Sequence, residues 1–165
     1  MAIERTLNEL FLLNYSIELI SNPEARELYD ELFAEHHYLE AGVARNAKCF
    51  IVFKNEQAIA FQSYVHMIYR PKGWYREHRL VVNPGYRGLG VGRELSEWLG
   101  DLILRMDGLT YFYSTTRNAK IAKSRDNSPL WVSTAWNGTI RNAEHANSKG
   151  FDVENVKYSD RKSVV

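Results

Sequence analysis

The chain has 165 residues, 45% hydrophobic and 25% charged, with a formal net charge of +1. That length and balance describe one ordinary globular domain, able to bury a full core without staples. They exclude a disulfide framework or a Cys-based zinc site, since Cys49 is the lone cysteine, and they exclude the global basic footprint that marks a nucleic-acid binder. No apolar run approaches the roughly 20 residues of a membrane span. Glu4 and Arg5 interrupt the start, so no signal peptide is expected, and the expectation is a cytoplasmic protein.

Ile3, Leu7, Leu10, Phe11 and Tyr15 recur at helical spacing and predict a short leading helix over 3–15. Residues 16–20 alternate and read as a first strand. Asn22 is the expected cap of the next helix, with Pro23 at its first position and Glu24 and Glu27 in its first turn; the pattern runs to about His36. Residues 47–54 and 58–69 read as an antiparallel hairpin about a tight Asn55-Glu56 turn. Cys49 sits in the first of these strands and reads as inert core. Residues 75–83 form the central strand. Leu95, Trp98, Leu99, Leu102, Ile103 and Met106 make one stripe of a long helix over 88–106, which Asp107-Gly108 ends. A strand over 110–116, a short helix over 118–125, and strands near 130–134 and 151–158 complete a mixed α/β sheet.

The most informative stretch is Arg79-Leu80-Val81-Val82-Asn83-Pro84-Gly85-Tyr86-Arg87-Gly88-Leu89-Gly90-Val91-Gly92. A β-branched strand meets a Pro-Gly break, a glycine loop, and a helix start. Glycines let backbone N–H groups converge, and the helix N-terminus adds partial positive charge, so the expected ligand carries phosphates. A P-loop needs Gly-Lys-Ser/Thr, but Gly92 is followed by Arg93-Glu94. A dinucleotide fingerprint needs G-x-G-x-x-G and an acid ending the next strand. Here the spacing is G-x-G-x-G and that strand ends in Ser114-Thr115-Thr116.

Arg87-Gly88-Leu89-Gly90-Val91-Gly92 resembles the Arg/Gln-x-x-Gly-x-Gly/Ala pyrophosphate loop of the GCN5-related N-acetyltransferases (GNAT). The strand and bend before it are similar to those of that family. A narrower resemblance spans roughly residues 30–136. His36-His37-Tyr38-Leu39, the strand from Ala47, His78-Arg79-Leu80-Val81-Val82, Ser114-Thr115-Thr116 and Ser128 before Trp131 look like a phage-type branch of that superfamily, also found fused to ABC-type ATPases.

The resemblance implies a mainly antiparallel sheet flanked by helices, acetyl-CoA as donor, and a small-molecule or macromolecular amine as acceptor. It implies that backbone N–H groups of Gly88, Leu89, Gly90, Val91 and Gly92, beside Arg87, hold the pyrophosphate. It further implies that Leu80, Val81 and Val82 bond the pantetheine arm through their backbone, that the strands on either side splay apart, and that Asn118 lies near the cofactor.

Acyl transfer by direct attack needs a base for the amine proton and donors for the developing oxyanion. Strand alternation puts Arg76, His78, Leu80 and Val82 on one face and Glu77 on the other. The resemblance puts a Glu base at the position of Arg76, so this chain departs from it. His78 then ranks first as base, since an unperturbed imidazole titrates near 6.5, and Glu77 ranks second. The helix after the last lip strand lacks the family's Tyr acid; a thiol leaving with a pKa near 8.5 can dispense with one. His36, His37 and Tyr38 end the helix that walls the acceptor site in the family. His37 and Tyr38 are candidates for catalysis there, beside structural and metal-binding readings with His66 or His78. Adjacent helical residues point about 100° apart, which disfavours a shared metal. Trp131 and Trp136 read as core or as acceptor-pocket residues.

Two other readings stay open. Arg70, Lys72, Arg76 and Arg79 flank Trp74 and Tyr75, a mixture that suits stacking on bases and contact with phosphates. That permits a transferase acting on a nucleic-acid base or nucleotide. The absent Glu and Tyr also permit a catalytically silent module that binds acyl-CoA or a partner. Monomer and homodimer are both compatible with the sequence.

Overall fold

The computed structural model describes residues 15–37, 42–116 and 118–134, with the backbone of 159–163. The leading helix expected over 3–15, the strand expected over 151–158, and Tyr38 and Trp136 lie outside the described residues.

Strand β1 (Tyr15–Ile20) is followed by helix α1 (Asn22–Leu32) and a 3-10 turn at Ala34–His36. Then come β2 (Lys48–Lys54), β3 (Gln57–His66) and β4 (Trp74–Val82). A 3-10 turn at Pro84–Tyr86 leads to α2 (Val91–Leu104), β5 (Tyr111–Thr116), α3 (Ala119–Asp126), β6 (Trp131–Ser133) and β7 (Ser159–Ser163). The seven strands among the described residues form one sheet in the order β1-β2-β3-β4-β5-β7-β6, antiparallel except between β4 and β5. This is the mixed, mainly antiparallel α/β arrangement expected from the sequence.

Both faces of the sheet carry core. On one, Tyr29 and Phe33 of the first helical segment pack on Cys49, Ile51, Phe61, Val65 and Val81. On the other, the α2 stripe packs Leu95, Trp98, Leu99 and Ile103 against Phe50, Val52, Ile59 and Phe112. Each large apolar side chain buried this way contributes about 1.5–3 kcal/mol. Cys49 is fully buried, and desolvation pushes its thiol up to about 11.

Three local expectations need correction. Ser21, not Asn22, occupies the cap position of α1. The Asn22 side chain instead donates to the carbonyls of Ala44 and Ala47, at 3.0 and 2.9 Å, and so ties down the loop before β2. The helix then ends at Leu32, where the chain tightens into the 3-10 turn. Helix α2 begins at Val91 rather than at residue 88, because Gly88 and Gly90 take φ of +83 and +86, which a helix forbids.

The third correction decides which side chains meet. Ser63 pairs with Arg79 but Tyr64 pairs with Glu77, so His78 is an extra residue in β4, a β-bulge. Simple alternation therefore fails there. Leu80 and Val82 pack on the α2 side with Val91 and Leu95, and Glu77 joins them. His78, Arg79 and Val81 turn toward the α1 side. The face expected to hold Arg76, His78, Leu80 and Val82 together does not exist.

Candidate active site

Strands β4 and β5 run parallel but pair only through Trp74–Tyr111, Tyr75–Phe112 and Arg76–Tyr113. Their start is pinned where Tyr111 N–H donates to the Gly73 carbonyl at 2.8 Å. A side chain on Gly73 would meet the Leu109 carbonyl oxygen at 2.4 Å, so no other residue fits this approach. Beyond Arg76 the β4 edge facing β5 has no strand partner among the described residues. The result is a splay whose apex is Glu77 and Ser114.

The apex is a closed polar cluster. Gln62 Nε2 and Ser96 Oγ each donate to Glu77 Oε1 at 2.8 Å. Ser114 Oγ donates to Oε2, and so does Arg125 Nη2, at 2.6 Å. Arg125 also donates to Ser96 Oγ at 2.8 Å and stacks on Trp131, 4.5 Å from the ring centroid. The side chains of Glu77 and Arg125 are 8% and 2% exposed. Burial opposes ionisation of Glu77, but the Arg125 charge and the two serine hydroxyls outweigh it and hold the carboxyl below its usual range. Glu77 is thus a fully engaged carboxylate. Trp131 is core here, buried between Arg125 and Phe112.

Sequence reasoning did not find Arg125, Ser96, Ser114 or Gln62. The one available signal was a charged residue at the end of a short helix, which is as often a dipole partner.

His78 faces the opposite way. Its Nε2 accepts the Ala44 N–H at 3.0 Å. Desolvation, then the charges of Arg79, Arg76 and His37, push its pKa down to about 4, against a hydrogen bond with Gly42. The imidazole is neutral at pH 7 with one lone pair spent on a loop. The sign of its linkage follows. Its folded pKa is depressed, so between pH 6.5 and 4 the unfolded chain binds the proton first and stability falls. His78→Gln should flatten that part of a pH–stability curve by about 1–2 kcal/mol after allowance for screening, as read by denaturant unfolding across pH 4–7.

His37 stands at the same mouth: its charge reaches His78, and its ring lies 6.4 Å from that of Tyr29, edge-on. His36 contacts Glu35 at 3.3 Å. His66 lies on the other face against Tyr75, away from these histidines. Among the described residues no group of three or more His, Cys, Asp and Glu is arranged to hold a metal.

The glycine loop closes the wide end of the splay. Asn83 anchors the bend, donating from its backbone to the Ile59 carbonyl and from its side chain to the Ala58 carbonyl, each at 2.9 Å. Arg87 is a strut: its Nε donates to the Val82 carbonyl at 2.9 Å and its Nη2 to the His36 carbonyl at 3.0 Å. It thereby joins the loop to both β4 and the first helical segment. Gly88 and Gly90 turn the chain with positive φ, and Gly90 caps α2 without a side chain. The first N–H groups of α2 have no acceptor within the helix, and they open beside Leu80 and Val82. Gly92 lies against Val82, Leu80 and Ile121, each at ordinary contact distance for an added methyl. A loop of donors at a helix N-terminus, next to an unpaired strand edge, fits a long ligand with a pyrophosphate at one end.

Asn118 caps α3, its Oδ1 accepting from Lys120 and Ile121 N–H at 3.0 and 3.2 Å. Asn118→Ala should cost about 1 kcal/mol in a urea titration.

Residues 45–125 match the family model described as Acetyltransferase (GNAT) domain. No match is found among the curated proteins. Among solved structures, the chain is similar to the ribosomal-protein-S18-alanine N-acetyltransferase from Escherichia coli, at 14% identity and TM-score 0.55, covering 91% of this chain and 92% of that one. It is similar to the spermidine/spermine N-acetyltransferase SpeG from Vibrio cholerae, at 12% identity and TM-score 0.60, covering 92% of each chain. The IAA acetyltransferase from Bacillus cereus aligns at 11% identity and TM-score 0.58, covering 92% of this chain and 99% of that one. At such identities these structures share the fold, and the splay and glycine loop lie within the segment that the family model matches. Over residues 45–125 the chain is thus similar to an acetyltransferase (GNAT) domain, in a fold that it shares with those structures.

Proposed function

We propose that the protein is an acetyl-CoA-dependent N-acetyltransferase. The observation that carries this reading is the splay between β4 and β5, open toward the donor loop at the start of α2. In this reading the N–H groups of residues 88–92 hold the pyrophosphate, and the unpaired edge of Leu80–Val82 lies along the pantetheine arm. Bound acetyl-CoA supplies the thioester. Arg87 acts by fixing the loop, and Asn118 by placing the start of α3 beside it.

The acceptor enters from the α1 side. The amine's nitrogen–carbon bond forms as the carbon–sulfur bond breaks, and the amine's proton ends on the leaving thiolate. His37 is the residue proposed to move that proton, because His78 is weakly basic and engaged with Ala44. His78 is then a positioning residue, holding the loop before β2. Glu77 and Arg125 close the apex against water. The nearby arginines also favour a neutral amine over an ammonium.

The test is release of CoA thiol from acetyl-CoA with a panel of amines. Turnover that falls at least tenfold in His37→Gln, and whose pH dependence shifts in that variant, supports the assignment. No turnover with any amine, alongside tight acetyl-CoA binding, would favour a silent acyl-CoA-binding module.

A further inference from the structure

Where β4 and β5 are still paired, the face away from α2 carries a ladder of rings. Trp74 lies 4.4 Å from Tyr111 and 5.2 Å from Tyr113 between centroids, the second pair within 11° of parallel. The Arg70 guanidinium stands 5.0 Å over the Trp74 ring, and its charge is felt by Tyr113. Their strand neighbours Tyr75 and Phe112 point the other way, into the α2 core. The three ladder rings are half-buried, and they belong to none of the core clusters. Arg70, Lys72 and Arg76 are exposed beside them, and the field of Arg76 extends to His78. The ladder thus adjoins the mouth at which the amine would enter.

A set of stacked rings offers a π-face, and the arginines offer charge. A polyamine would be repelled by these cations, and an aliphatic acid would leave the rings unused. A nucleotide uses both: its base stacks on the ladder and its phosphate meets a guanidinium. We propose that the Trp74–Tyr111–Tyr113 ladder with Arg70 and Arg76 is a nucleotide-binding subsite that recognises the amine acceptor. As an acceptor subsite it rests on the acetyltransferase reading, but its binding can be measured separately. The nucleotide has two possible sources, a free mononucleotide or a unit of a single strand.

The experiment titrates the full-length protein, already saturated with acetyl-CoA, with AMP and with a ten-residue single-stranded DNA, by calorimetry at two salt concentrations. At least one of the two should bind, and Arg70→Glu and Trp74→Ala should each weaken it at least tenfold while leaving acetyl-CoA affinity within twofold. Arg70→Glu changes an exposed side chain, so it reports on the subsite even if Trp74→Ala folds poorly. Equal affinity for the two ligands identifies a free nucleotide. Much tighter strand binding that weakens with salt identifies a single strand. Absence of binding by both, displacement of the nucleotide by CoA, or indifference to Arg70→Glu would overturn the proposal. Nucleotide binding that depends on Arg70 in a protein that ignores acetyl-CoA would leave the subsite standing and remove the acetyltransferase reading.

Discussion

Glu77→Gln and Arg125→Met will each destabilise the protein by about 3–5 kcal/mol, because each strands a buried partner. The two charges lie almost wholly out of water and share Ser96 between them. Removing Arg125 leaves a carboxylate with three neutral donors and no counter-charge. Removing the Glu77 charge leaves a guanidinium whose Nε and Nη1 already have no hydrogen-bond partner among the described residues. The double variant Glu77→Leu/Arg125→Met should recover much of the loss, since apolar groups of similar volume often replace a buried pair without penalty. Denaturant unfolding of the parent, the two single variants and Glu77→Gln/Arg125→Met gives the coupling directly. The pH dependence has a definite sign. The Glu77 pKa is lowered by folding, so its contribution is full above the unfolded carboxyl value and is lost as pH falls through the lower folded one. Glu77→Gln should lack that acid limb. If both single variants unfold like the parent, the apex cluster is not a structural clamp.

The second large effect concerns ligand binding. Gly90→Asp should weaken acetyl-CoA at least a hundredfold while the fold survives. Gly90 sits at the cap of α2 with φ of +86, a conformation that Asp tolerates better than most residues. The cost to the fold is therefore on the order of 1–2 kcal/mol, whereas a carboxylate is set where phosphate oxygens would lie. Arg87→Glu should act in the same direction and also release the struts to Val82 and His36. Circular dichroism and a thermal melt check the fold, and calorimetry checks the ligand. Unchanged acetyl-CoA affinity in both variants would remove the loop from the binding site.

Much of this was legible in the residues. Periodicity placed β2, β3 and the α2 stripe, and Asn55-Glu56 takes the left-handed turn its hairpin needs, with φ of 48 and 65. The glycines at 88 and 90 announced the loop. What alternation cannot show is a single inserted residue. Glu77, His78 and Arg79 are all polar, so the pattern carries no mark of the bulge at His78, which puts Leu80 and Val82 on the face of Glu77 instead of that of His78. Nor does sequence bring together groups 48 residues apart such as Glu77 and Arg125. Asn22 has the right chemistry to cap α1, yet the loop before β2 competes for its side chain and wins two hydrogen bonds. The ladder rings alternate with core rings on both strands, and only the strand register shows that Trp74 meets Tyr111 and Tyr113.

The most direct test of the central claim is calorimetric titration of the full-length protein with acetyl-CoA, with ATP and NAD as controls. One-site binding of acetyl-CoA in the micromolar range, much tighter than either control and abolished by Gly90→Asp, is the expected result. Acetyl-CoA that binds no better than ATP or NAD would contradict the account.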